Sequence, residues 1–256
     1  TRLLPLTSVF AKELLPINGK PGLEYIIEEC IEAGIKEIVF IISKKKLMIK
    51  KYFYNDKFYK DIIKKKNDPK IIKEYKKILK YKKMIKFVFQ DKPLGTGDAV
   101  YKTKKFITDK YFLMLLPDDL IIKKNCSKSM IAVHNKFKAS VMASMKVNKN
   151  DVSRWGIYNI RKKIDKNNFI INNVVEKPSI KTSPSNNAVI GRYILPKTIF
   201  SKLKSLKPGK SGEFHITDAI QALIEDDNQF IGHNFSGKYL DCGTMKGYIK
   251  STLEIS

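Results

Sequence analysis

Several short stretches of this 256-residue chain carry residue types suited to phosphate, metal or a polar ring. Near the start, Arg2 and Lys12-Glu13 flank a loop that leads into Leu14-Leu15-Pro16. Two cations on a loop can hold an anion, although two such cations are more often just solvated. Gln90 closes an apolar stretch, and Gly95 and Gly97 follow just before a helical pattern that starts near Asp98. Glycines at a strand-to-helix turn let backbone N–H groups come close to a ligand, and a Gln amide offers both donor and acceptor, as a base edge requires. A lone G-x-G is a poor signal, and an ordinary turn is the commoner explanation of the glycines. Asp118 and Asp119 follow Leu-Leu-Pro at the end of another apolar run. Carboxylate oxygens there suit Mg²⁺, and a turn or helix cap is the plainer alternative. Glu176-Lys177-Pro178, Gly191-Arg192 and Asp241-Cys242-Gly243 each end or interrupt an apolar run and say little one at a time.

The elements that must position these residues alternate. Glu37–Ser43 is a short β-rich apolar run and reads as a strand, after a helix expected over 21–33 that is closed by Gly34. Further strands are expected at 86–90, 111–116 and 139–147, with helices at 69–83, 98–105 and 127–137 between them. Short apolar strands separated by helices predict an α/β fold, a Rossmann-like, mostly parallel or mixed sheet flanked by helices. In such sheets ligands sit beyond the carboxyl ends of the strands. The second half changes character. Strands at 157–160, 169–175 and 189–195 have few helices between them, then come a helix at 212–225, strands at 230–235 and 239–241, and a helix at 245–253. This predicts one globule, with an α/β half at 1–147 and a smaller mixed α+β half at 148–256.

Composition narrows the function classes. The net charge is +25, which invites a nucleic-acid reading. Only Arg2, Arg154, Arg161 and Arg192 are arginines, whereas base readout and bidentate phosphate recognition favour arginine. The lysine excess, densest from Lys44 to Lys86, therefore reads as a solvated helical surface, and no nucleic-acid partner is expected. No apolar run reaches the length of about eighteen residues that a membrane helix needs, and no secretory leader is expected from TRLLPLTSVF. Cys30, Cys126 and Cys242 form neither a disulfide framework nor a zinc pattern, which suits a reducing cytoplasm.

Taken together and in order, these stretches resemble the bacterial sugar-nucleotide pyrophosphorylases, above all their UTP–glucose-1-phosphate uridylyltransferase branch. Thr1-Arg2-Leu3-Leu4-Pro5 and Lys12-Glu13-Leu14-Leu15-Pro16 match the family's opening signature, G-x-G-T-R-x-x-P followed by K-E-x-L-P. Gln90 with Gly95 and Gly97, Asp118 after Leu-Pro, Val175–Pro178, Pro184–Tyr193, Glu213–Ala219 and Asp241–Gly243 match its later blocks. Asp-Cys-Gly and Ile27–Ile35 point to the uridylyl branch. The resemblance places the family's first strand and the glycines of its phosphate loop ahead of Thr1. It also marks two departures: Asp98 stands where a histidine is usual, and His215 where a glutamine is usual.

The resemblance implies that a phosphate oxygen of glucose 1-phosphate attacks the α-phosphorus of UTP and that pyrophosphate leaves. Arg2 and Lys12 would grip the triphosphate, with Thr1 and Glu13 beside them. Gln90, Gly95 and Gly97 would read uracil. Asp118 and Asp241 would hold Mg²⁺, and Asp119 would be a bystander. Lys177 would neutralise the attacking phosphate, with Gly156, Glu176 and Gly191 near the sugar. UTP and glucose 1-phosphate are the expected partners, and a homo-oligomer, dimer or tetramer, is expected. Two alternatives share the same residues: thymidylyl or other hexose-1-phosphate transfer, and a non-catalytic protein that binds a nucleotide sugar. His134 and His233 read as surface or structural histidines.

Overall fold

The computed structural model describes residues 3–209 and 212–255. A two-residue ribbon, β1 (Pro16–Ile17) and β2 (Lys20–Pro21), leads into α1 (Gly22–Glu32). Leu23, Ile26, Ile27 and Cys30 recur at helical spacing and bury one face of α1, and Gly34 ends it in the left-handed region. Next, β3 (Ile38–Ile42) pairs in parallel with β4 (Ile85–Phe89). A parallel pair needs a crossover, and α2 (Leu47–Tyr54), α3 (Asp56–Lys66) and α4 (Pro69–Met84) supply it. Asp68 caps α4 by accepting from the Lys70 N–H at 2.7 Å, and Pro69 occupies its first position. Ile49, Phe53, Ile78 and Tyr81 pack against Phe40 and Phe87, so the lysines of this segment fall on the outer faces. Some of them meet carboxylates, as Lys77 does with Glu24 at 2.9 Å.

The chain continues through α5 (Thr96–Tyr101), β5 (Tyr111–Leu115), β6 (Asp119–Ile122), α6 (Cys126–Phe137) and β7 (Ser140–Lys146). Then follow β8 (Gly156–Lys163), β9 (Asn168–Glu176), β10 (Asn187–Pro196), α7 (Ile199–Ser205), α8 (Ile216–Glu225), β11 (Phe230–Asn234), β12 (Lys238–Asp241) and α9 (Met245–Ile255). Six strands form one sheet in the order β5-β10-β7-β11-β9-β8, so it draws on both halves of the chain. The α/β class is the one expected. Within it the sheet is mixed: β7 and β11 are parallel, while β10 lies antiparallel to both β5 and β7. β6 and α7 had no counterpart in the sequence reading. The first was hidden behind a pair of aspartates that reads as a turn, and the second has seven residues, too few to show a period.

Side chains alternate across the large sheet, and helices cover both faces. Met142, Tyr193, Leu195 and Phe230 face α7 and α8, whereas Val141, Ala143, Ile194 and Ile231 face α6. β3 and β5 each keep one edge without a strand partner among the described residues, and both line a cavity of about 1000 Å³. A separate antiparallel pair, β6 with β12, sits over Ile17 and Ile26.

The buried His233 of β11 is structural, with Nδ1 2.8 Å from Asn168 Oδ1 and Nε2 3.2 Å from Ser129 Oγ. Burial holds its pKa below the ordinary 6.5. The folded state therefore favours the neutral ring, and this contribution is present above pH about 6.5 and lost as pH falls through the lowered folded value. Thermal melting followed from pH about 7.5 to about 5 should show a loss that begins above the carboxylate range. In His233→Gln that early loss should vanish; if it persists unchanged, His233 is not its source.

Candidate active site

The hairpin-like pairing of β6 and β12 sets the centre of the site. Asp119 stands opposite Asp241 in register, and the Cys242 N–H donates to the Asp118 carbonyl at 2.8 Å. These bonds bring together Asp118 and Asp241, which are far apart in sequence. A Cβ placed on Gly243 would lie 2.9 Å from Asp118 Oδ2 and 3.2 Å from Asp241 Oδ1. Both carboxylates thus border one small space that only a glycine leaves open. Mg²⁺ is often held by one or two carboxylates plus substrate phosphates rather than by an all-protein cage, and this pair fits that kind of site. Among the described residues there is no cluster of three or more metal-ligating groups. Asp241 also shapes its own turn, accepting from the Gly243 N–H at 2.8 Å and the Thr244 hydroxyl at 3.1 Å. Lys12 reaches across and pairs with Asp118 Oδ2 at 2.6 Å.

Asp119 is more than a neighbour. Its Oδ1 accepts from the Tyr239 hydroxyl at 2.7 Å and its Oδ2 from the Gly191 N–H at 2.9 Å. Burial raises its pKa above the ordinary carboxylate value, and the Tyr239 hydrogen bond opposes that shift. Gly191 lies in an irregular stretch of β10, where the register with β7 shifts. A Cβ there would stand 2.5 Å from Leu116 Cβ and 2.6 Å from Asp119 Oδ2. The glycine is therefore required by the approach of the Leu116–Asp119 loop.

Gln90 follows β4, its N–H donating to the Ile42 carbonyl at 2.9 Å. Its side-chain amide donates to the Gly95 carbonyl at 3.0 Å and to Asp98 Oδ2 at 2.8 Å. Both partners are pure acceptors, which fixes the amide's orientation and leaves its oxygen out of these two contacts. Gly95 has φ +96°, and a Cβ on it would meet the Phe214 carbonyl oxygen at 2.5 Å. Gly97 donates to that same oxygen at 2.7 Å. The glycines thus admit the backbone around Phe214, a partner more than a hundred residues away. Glu13 is buried and paired with Lys46 at 2.6 Å, and with Gln90 it lines the cavity that β3 and β5 also line.

At the other side, Gly156 is paired with Glu176 across β8 and β9, and a Cβ on Gly156 would lie 3.1 Å from Glu176 Oε2. Lys177 follows with φ +46°, its N–H donating to the Trp155 carbonyl at 2.9 Å. Its ammonium is exposed, 3.4 Å from Glu176. The Trp155 ring packs edge-on against Tyr239 at 5.6 Å, and Tyr239 bonds Asp119. That chain of contacts ties the Glu176-Lys177 turn to the aspartate loop. Thr1 and Arg2 lie outside the described residues. The sequence reading missed Trp155, Tyr239 and the partners of Arg192, because each acts through a residue distant along the chain.

A family model described as Nucleotidyl transferase matches residues 1–256. The chain is 34% identical over 255 residues to UTP–glucose-1-phosphate uridylyltransferase 2 of Staphylococcus saprophyticus, covering 99% of this chain and 87% of that protein. Its fold is similar to that of a UDP-glucose pyrophosphorylase solved with UDP-glucose, with TM-score 0.85 and 32% identity over 99% of this chain and 93% of that one. It is also similar to a UTP-bound UGPase from Acinetobacter baumannii, with TM-score 0.89 and 29% identity over 99% and 88% of the two chains.

The tight approach at Gly95 gives a direct test. Gly95→Ala adds a Cβ where backbone already stands, at a positive φ, so a loss of about 1–3 kcal/mol in urea unfolding is expected. A variant as stable as the parent would mean that Phe214 can move aside.

Proposed function

The chain belongs to the nucleotidyl transferase family, and from that footing we propose that it transfers the uridylyl group of UTP to glucose 1-phosphate, giving UDP-glucose and pyrophosphate. The observation that carries this reading is the meeting of Lys12, Asp118 and Asp241 at one point, tied through Tyr239 and Trp155 to the Glu176-Lys177 turn. A sugar phosphate already carries an ionised oxygen at neutral pH, so no serine or cysteine nucleophile is required. The obstacles are repulsion between two polyanions and charge building on the leaving pyrophosphate, both met by positioning and fixed charge.

In this reading Asp118 and Asp241 hold Mg²⁺, which when bound neutralises phosphate oxygens as a Lewis acid. Lys12 leaves Asp118 to grip the triphosphate together with Arg2. Glu13 holds Lys46 at the wall of the cavity proposed to take the nucleotide. The side-chain oxygen of Gln90, kept in place by the Gly95 turn, meets the base. Lys177, exposed and mounted on a strained turn, neutralises the incoming sugar phosphate, and Glu176, Gly156 and Gly191 border the sugar. Residues 1–147 chiefly serve the nucleotide and 148–256 the sugar phosphate, with β12 lending Asp241 to the metal. Three free cysteines, two of them buried, suit a reducing cytoplasm, and no helix among the described residues is long and apolar enough to cross a membrane. Self-association into a homo-oligomer belongs to the same reading and is checked by sedimentation.

The deciding experiment measures pyrophosphate release from UTP and from dTTP with glucose 1-phosphate and Mg²⁺. Turnover with a preference for UTP is expected. A preference for dTTP would make the activity thymidylyl transfer, and a folded protein inert with both would leave only nucleotide-sugar binding. Lys177→Ala should raise KM for glucose 1-phosphate about tenfold or more, through loss of a charge-assisted contact, with KM for UTP little changed. Near-parental KM for glucose 1-phosphate would remove Lys177 from the site.

A further inference from the structure

We propose that Arg192 is a positioning residue for the metal site: its buried guanidinium clamps the backbone on both sides of Asp118 and so fixes where that carboxylate points. The inference rests on the metal-site reading above, and concerns a residue outside the set that touches substrate or metal there.

Arg192 has no exposed surface. Its Nη1 donates to the Leu116 carbonyl at 3.1 Å and its Nη2 to the Asp119 carbonyl at 2.6 Å. Those two carbonyls bracket Pro117-Asp118. Nη1 also donates to the Gly191 carbonyl at 3.0 Å, and that carbonyl accepts the Leu116 N–H at 2.8 Å. On its other side the guanidinium forks onto Glu29 of α1, Nε at 3.1 Å from Oε1 and Nη2 at 2.9 Å from Oε2. Glu29 is held in turn by the Ser127 hydroxyl at 2.5 Å and the Ser127 N–H at 3.1 Å, at the start of α6. One planar cation thus links two helices and β10 to the turn that carries Asp118.

The chemistry of this pair argues for positioning over stabilisation. A buried ion pair is on average no more stabilising than well-packed apolar side chains of the same volume. What apolar side chains cannot do is donate to the Leu116 and Asp119 carbonyls at fixed angles. Lysine cannot either, because a single ammonium lacks the fork that reaches the loop and Glu29 at once. Gly191 also reaches both ends, its carbonyl accepting the Leu116 N–H and its N–H donating to Asp119 Oδ2, but the guanidinium holds the carbonyls at both ends and ties them to Glu29.

The test uses Mn²⁺ as the probe, its binding measured by electron paramagnetic resonance with UTP present, alongside UTP affinity without metal. Two variants serve: Arg192→Lys, and the double replacement Arg192→Met with Glu29→Met, which removes both buried charges together. In a folded variant Mn²⁺ affinity should fall about 10- to 100-fold, the range found when a group supporting a metal ligand is lost, and metal-free UTP affinity should hold. Excess Mn²⁺ should restore turnover. A purely structural role would lower the melting temperature and leave Mn²⁺ affinity unchanged, and that result in either folded variant overturns the proposal. Should the lysine variant fail to fold, the double variant decides. Absence of Mn²⁺ binding in the parent chain would instead count against the metal-site reading itself.

Discussion

A guanidinium removed from water has to have its donors matched and its charge answered, or the fold around it is penalised by several kcal/mol. Around Arg192 that requirement is met by Glu29 on one side and by backbone carbonyls on the other. Meeting it commits α1, α6 and β10 to one arrangement, because each carries part of the answer. The turn between β5 and β6 is then the dependent element. Its carbonyls at Leu116, Asp118 and Asp119 find partners in Arg192, Cys242 and Arg192 again. Once those are set, little freedom remains for the carboxylates around it.

The same economy runs through the glycines. Gly191, Gly243, Gly95 and Gly97 each stand where another chain segment comes too close for a Cβ. Two of those approaches bring the aspartate loop against β10 and against the start of α9. The other two seat the Phe214 backbone on the turn after β4. Small residues here let strands and turns from distant parts of the chain come within van der Waals reach of one another.

How much of this the sequence shows depends on distance along the chain. The pattern from Pro69 to Met84, with Asp68 before it and apolar residues at helical spacing, is a local signal, and α4 follows it closely. The apolar runs at Ile38–Ile42 and Ser140–Lys146 are equally plain. The Gln90 turn and the Asp118 loop could be marked as places for chemistry from their residue types alone. Their partners could not. Glu29 and Arg192 lie 163 residues apart and Tyr239 and Asp119 lie 120 apart, and no composition or period couples such pairs. The antiparallel course of β10 through the large sheet was hidden for the same reason, since strand neighbours are chosen by the whole core and not by the strand's own residues. Asp119 shows the limit well: beside Asp118 it looks redundant, and only the hydrogen bonds to Gly191 and Tyr239 separate the two.

In the proposed reading, the locked amide of Gln90 has a consequence for the choice of nucleotide. Its hydrogens are spent on Gly95 and Asp98, so only a lone pair is offered to whatever ring lies against it. Uracil carries a hydrogen on N3 and can donate there; cytosine has a lone pair at that atom and would be repelled. A flip of the amide that would welcome cytosine would set its oxygen against a carbonyl and a carboxylate. Discrimination between UTP and CTP would then be built into the protein before any nucleotide arrives, enforced by two acceptors that need not touch the base.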